Sequence, residues 1–172
     1  MPALILPHHG KTPIIHDSAF IADNAVIIGD VEIGPNSSVW FGCVIRGDVN
    51  IVRVGARTNI QDGVVIHVAA RGQGTFIGDD ITIGHMALLH ACTLESGSFV
   101  GMKACLMDGS RVETGGMVAA GALLTPGKLV ASGELWAGTP ARPMRDVAPD
   151  ERDFFFQSAR QYVDLAATYQ RP

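Results

Sequence analysis

The stretch from Leu94 to Val130 reads LESGSFVGMKACLMDGSRVETGGMVAAGALLTPGKLV. Every sixth residue in it is a large aliphatic: Leu94, Val100, Leu106, Val112, Val118, Leu124 and Val130. A single amphipathic helix cannot carry this beat, because its apolar face recurs about every 3.6 residues. An ordinary β-sandwich has no reason to keep a six-residue period. A short strand followed by a turn does keep it, and such units coil into a parallel β-helix. Three units close one triangular coil, so residues roughly 18 apart stack and neighbouring coils lie about 4.8 Å apart.

The same beat extends toward the N-terminus. Ile15, Ile21, Ile27, Ile33, Val39 and Ile45 keep it; after an expected break near Asn50–Arg53 it resumes at Val54, Ile60 and Ile66. A glycine-containing stretch, Val68–Phe76, interrupts it before Ile77 and Ile83, and a one-residue slip lies between Ile83 and Leu94. Four residues after many of these aliphatics stands a small residue: Ala19, Ala25, Ser37, Cys43, Thr58, Ala87, Ser98, Ala104, Ser110 and Ala122. One large and one small inward residue per unit fit a narrow prism.

Beyond the beat the pattern changes. Pro149 and Asp150 mark a helix start, since proline at an early helical position gives up no needed hydrogen bond. Phe155, Ala159, Tyr162, Ala166 and Tyr169 recur at three- and four-residue steps, so a helix through about Tyr169 is expected to lie on the prism. Gly138–Thr139–Pro140–Ala141–Arg142–Pro143 is expected to be the connecting turn. The expected division is a β-helix domain with the metal site over 1–140, and the turn and packed helix over 141–172.

Composition narrows the function. At 172 residues the chain fits one domain with a full core. A formal charge of −4 and a pI near 5.8 argue against a nucleic-acid surface. No apolar run approaches the roughly 18 residues of a membrane span, and the N-terminus shows no signal-peptide pattern. Cys43, Cys92 and Cys105 are too few and too unevenly spaced for a disulfide framework, so buried thiols in a cytoplasmic protein are expected.

The repeat also aims side chains. Strand residues alternate in and out, so the residue after each inward aliphatic faces outward. His67 follows Ile66 and His90 follows Leu89; both fall on one face, one coil apart, with Arg46 one coil earlier. Gln61 follows Ile60 on the preceding face, and Asp62 and His85 stack near its corner. Two outward imidazoles on adjacent coils can share one metal ion. His85 lies on another face, so a neighbouring subunit in a three-fold ring is the expected source of the third ligand. His8, His9 and His16 precede this arrangement.

Arg46–Gly47–Asp48, Asn59–Ile60–Gln61–Asp62, His67, Ile83–Gly84–His85 and Leu89–His90 together resemble the gamma-class carbonic anhydrase family, over nearly the whole chain. The resemblance implies a mainly β fold: a single-stranded left-handed parallel β-helix of hexapeptide repeats with a C-terminal α-helix. It implies a homotrimer with Zn2+, or Fe2+ or Co2+, at each subunit interface, held by His67, His85 and His90. The implied activity is that of a zinc-dependent lyase of the carbonate dehydratase type, interconverting carbon dioxide and bicarbonate through hydroxide generated on the metal. Gln61 would orient hydroxide or substrate, since an amide both donates and accepts. Asp62 would orient a neighbouring group, Arg46 and Asp48 would form an interface pair or scaffold, and Tyr162 would face the site. Two departures stand out. Val49 occupies the place of a glutamate in the best-characterised active branch, and the loop Val68–Thr75 lacks that branch's proton-shuttling carboxylate. Other readings on this fold are an acyl-CoA thioesterase, an acyl-CoA transferase, and a catalytically weak or structural family member. The three histidines with Arg46 and Gln61 disfavour the transferase.

Overall fold

The computed structural model describes residues 2–170, so the outermost ends of the expected division, at 1 and 171–172, lie outside the described residues. The chain forms a parallel β-solenoid of short strands followed by one helix, Pro149–Tyr169. One face is an eight-stranded sheet running from Phe20–Ile21 through Ser38–Val39, Asn59–Ile60, Thr82–Ile83, Phe99–Val100 and Met117–Val118 to Glu134–Gly138 and Ala141–Asp146. The other two faces share a twelve-stranded sheet, joined because Val26–Ile33 and Val44–Val54 run continuously around a corner.

The six-residue ladder is the core. Ile27, Ile45, Ile60, Ile66, Ile83, Leu89, Val100, Leu106, Val112, Val118, Leu124 and Val130 are all fully buried, as are the small partners Ala25, Cys43, Thr58, Ser98 and Ser110. Each aliphatic packs on its counterpart one coil away, as Ile60 does on Ile83 and Ile83 on Val100. Corners turn through a left-handed residue three positions after the aliphatic, glycine at 97, 109, 115, 121 and 127. At Leu89 the left-handed residue is Ala91, only two positions on. That corner is one residue shorter, which is the physical origin of the slip before Leu94.

The expected break near Asn50–Arg53 interrupts the beat but not the strand: Val44–Val54 is continuous, and its pairing with Val26–Ile33 jumps from Gly29↔Gly47 to Val31↔Val52. The extra residues bulge outward, carrying Asp48. Gly47 is needed at this crossing, since a Cβ there would sit 2.5 Å from the Asp30 carbonyl oxygen. The Val68–Gln73 loop stacks on this bulge: the Asn50 side-chain amide donates to the carbonyls of Ala69 (3.1 Å) and Gly72 (3.3 Å). Gly138–Pro143 is not simply the expected connecting turn. Ala141–Asp146 is a strand antiparallel to Glu134–Gly138, with only Thr139–Pro140 between them. The returning strand covers an edge that the last coil would otherwise leave unpaired.

The helix starts where expected. The Glu151 carboxylate accepts from the Ala148 backbone N–H at 2.9 Å, satisfying one donor at the helix entry. The helix then lies along the eight-stranded face, burying Phe155, Ser158, Ala159 and Ala166. Phe155 stacks on Phe99 with ring centres 4.8 Å apart, and Trp40 meets Tyr162 and Tyr169 edge-on.

Candidate metal centre

His67 and His90 are register partners on adjacent coils, following the inward pair Ile66↔Leu89. Their ring centres lie 5.2 Å apart. Zinc–nitrogen bonds of about 2.0–2.1 Å at a tetrahedral angle would hold two imidazole centres roughly 5 Å apart. The spacing of the pair therefore suits a shared ion.

Each ring is held by a carboxylate. His67 Nε2 donates to Asp48 Oδ1 at 3.0 Å, and Asp48 also pairs with Arg46. Burial opposes the charge on Asp48, but the bonds from His67 and Arg46 outweigh it and hold the carboxyl down at about 2. His90 Nδ1 donates to Asp108 Oδ1 at 2.6 Å. His85 Nδ1 lies 2.9 Å from Asp62 Oδ2. Nε2 of His85 and of His90 is thus left for a ligand. His67 is the exception: it can meet an ion only through Nδ1 or by giving up its bond to Asp48.

His85 belongs to a second group. Gly84 before it must be glycine, since a Cβ would lie 2.6 Å from the Met102 nitrogen. The His85 backbone N–H donates to Gln61 Oε1 at 3.1 Å, and Gln61 Nε2 donates to Asn59 Oδ1 at 3.1 Å. Asn59 Nδ2 donates to Thr82 Oγ1 at 2.9 Å, and that hydroxyl meets Ser158 Oγ of the helix at 2.9 Å. A buried chain of hydrogen bonds therefore runs from the helix to Gln61. Tyr162 lines, with Gln61, His85, Phe99 and Met102, a cavity of about 370 Å3. Burial, and secondarily the Asp62 charge, push the Tyr162 phenol up, so it stays protonated as a donor.

The structure thus brings His67, His90, Arg46 and Asp48 together on one face, and His85, Gln61, Asp62 and Tyr162 on another. Among the described residues of one chain, no three His, Cys, Asp or Glu side chains converge as a metal cage. Sequence reasoning missed Asp108, Thr82 and Ser158, and named Asn59 only within its motif, without a role. Counting coils does not find Asp108: the register Leu89↔Leu106 sets Met107 over His90, and Asp108 is the next residue. The three thiols are unpaired; burial pushes Cys43 up to about 11 and Cys92 up to about 12, whereas Cys105 is only half-buried.

Solenoid and paired histidines together define a hexapeptide-repeat protein with a candidate metal centre on its outer faces. The bacterial transferase hexapeptide family matches at residues 12–47. The chain is 51% identical over 164 residues to gamma carbonic anhydrase 1, mitochondrial, of Arabidopsis thaliana, covering 92% of this chain and 60% of that protein. It is 41% identical to a carbonic anhydrase of Geobacillus kaustophilus, covering 96% of this chain and 91% of the relative. A crystal structure of a hexapeptide transferase family protein from Anaplasma phagocytophilum superposes with a TM-score of 0.93 at 49% identity, over 96% of this chain and 98% of that one. The chain belongs to the gamma carbonic anhydrase family.

Proposed function

We propose that this protein is a metal-dependent lyase that interconverts carbon dioxide and bicarbonate. The observation that carries the reading is the His67–His90 pair, with ring centres 5.2 Å apart on adjacent coils. In this reading His67 and His90 of one protomer and His85 of a neighbour hold Zn2+, with Fe2+ or Co2+ as alternatives that imidazoles also accept, and the assembly is a homotrimer. Such an ion supplies a water activated near neutral pH. The rest falls to the chain's own groups. Gln61 accepts from the His85 N–H and donates to Asn59, so its amide is fixed in one orientation toward the substrate space. Asp62 fixes the His85 ring, and Asp48 with Arg46 fixes His67 until the ligand set forms. Tyr162 contributes a protonated phenol at the cavity wall. Val49 and Val68–Thr75 place no carboxylate beside the site, so proton removal depends on buffer. Three unpaired thiols support a reducing compartment, the cytoplasm; no helix among the described residues is long and apolar enough to cross a membrane.

The test is metal content and stopped-flow carbon dioxide hydration on protein loaded with zinc or, anaerobically, with iron(II). Expected are stoichiometric metal, buffer-dependent hydration, and loss of both in His90→Ala. Full occupancy with no hydration in either form, together with turnover of an acyl-CoA thioester panel, would replace this activity with thioester hydrolysis.

A further inference from the structure

The geometry points to Asp108 as a positioning residue that selects the tautomer of His90 and thereby prepares its Nε2 for the metal ion. The inference rests on the metal-centre reading above and adds a residue that the resemblance did not supply. Asp108 Oδ1 is 2.6 Å from His90 Nδ1. An ionised carboxylate only accepts hydrogen bonds, so the proton of the neutral ring sits on Nδ1 and the lone pair on Nε2. A neutral imidazole without this partner divides between two tautomers, and only one of them offers Nε2 to a metal. A carboxylate behind a ligating histidine also fixes the ring's rotation and raises its basicity.

The fold keeps Asp108 in place. It lies in the corner that follows Leu106, whose strand pairs with that of His90 through Leu89↔Leu106. Its backbone carbonyl accepts from Gly127 at 2.9 Å, and the next N–H, Gly109, donates to the Ala91 carbonyl at 2.8 Å. The short corner at Ala91 matters here. Because the chain turns one residue early after His90, the Gly109 bond to Ala91 sets Asp108 over the short corner, and its carboxylate reaches across to the ring. On its other side Asp108 borders a cavity of about 310 Å3 lined by Arg71 and Gln73; Gln73 Nε2 donates to the Ala91 carbonyl at 2.8 Å, bracing the same corner from the loop. Nothing else in the chain bonds the carboxylate among the described residues.

Asp108→Ala, Asp108→Ser and Asp108→Asn test this. Zinc affinity is measured by competition with a chelating dye, and the His90 tautomer by 15N NMR of histidine-labelled, metal-free protein. Truncation to Ala or Ser is expected to weaken zinc binding by about 10–100-fold and to shift His90 from the Nδ1–H form to a mixture. Asp108→Asn, whose Oδ1 can accept the same bond, is expected to recover most of both. Two truncations guard against one failing to fold, and thermal melts by circular dichroism check each. Wild-type affinity and tautomer in a folded truncation variant would overturn the inference. If His90→Ala abolishes zinc binding while Asp108→Ala does not, only this inference falls; if His90→Ala leaves zinc binding intact, the metal-centre reading falls with it.

Discussion

The coils from Leu94 to Val130 and those from Val44 to Leu94 are built on one rule and obey it differently. In the later coils the aliphatic recurs every six residues without exception, and corners are glycine save for Lys103. In the earlier coils the outward bulge after Gly47, the loop after His67 and the short corner at Ala91 each break the count. Their left-handed corners include Arg57, Asp80, Met86 and Ala91, all L-residues in a conformation that costs each about 1–2 kcal/mol. His67, His85 and His90 all lie in the irregular coils. The regular part is a spacer of stacked aliphatics, whereas the bulge, the loop, the short corner and the Met86 corner each adjoin a histidine or its partner. Asp48 rides on the bulge, Gln73 braces the short corner from the loop, and Met86 follows His85.

The largest expected effect sharpens this contrast on the regular side. Leu106 is fully buried between Leu89 and Leu124. Leu106→Ala is expected to cost about 2–5 kcal/mol of stability. Denaturant unfolding measures it, and a loss under about 1 kcal/mol, well below that range, would mean the ladder is not the main support of these coils.

What the sequence made legible follows from which forces repeat. Burial of one aliphatic per unit is periodic, so the ladder, the three faces and the adjacency of His67 to His90 can all be derived by counting from Ile66 and Leu89. The helix from Pro149 is legible for a similar reason, its apolar spacing differing from the solenoid's. Backbone-to-backbone contacts carry no such period. That Gly74 lies against Ile51, where a Cβ would meet the Ile51 carbonyl oxygen at 2.2 Å, depends on two irregular segments meeting in space. The strand Ala141–Asp146 reads as a turn because its pairing serves the open end of the stack and leaves no apolar alternation of its own. Asp108 escapes the count because the outward position above His90 is Met107, and the carboxylate reaches the ring from the corner beside it.

A smaller effect tests the strained corners directly. Met86 is exposed with φ of 60°, next to His85. Met86→Gly relieves the left-handed penalty and gives back part of it as chain entropy, for a net gain of about 0.5–1 kcal/mol. In the regular coils Gly121 has φ of 69° and no heavy atom within 4 Å of where a Cβ would sit, so Gly121→Ala isolates the same penalty with opposite sign. It is expected to lose about 1 kcal/mol. Equal and opposite shifts in the unfolding midpoint would establish that the earlier coils carry removable strain. A destabilised Met86→Gly would instead show that the Met86 side chain contributes packing that its exposure conceals.

The smallest effect concerns how the helix, and with it Ser158 and Tyr162, is held against the irregular coils. The Arg145 guanidinium, bonded to Glu151, and the Ala148 N–H hold the Glu151 carboxyl down at about 2, below its ordinary 4.5. A depressed carboxyl pKa favours the folded state in its ionised form. Its contribution is therefore complete above about pH 4.5 and lost progressively as the pH falls toward 2. The pair is half-exposed, so salt screens it and the effect is modest. With Trp136→Phe, the fluorescence of Trp40 reports docking through its contacts with Tyr162 and Tyr169. Between about pH 5 and about pH 3 the wild-type helix is expected to loosen more than that of Glu151→Gln, in which there is no charge left to neutralise. Parallel pH profiles in the two proteins would mean that the apolar seam of Phe155, Ala159 and Ala166 holds the helix without help from its first turn.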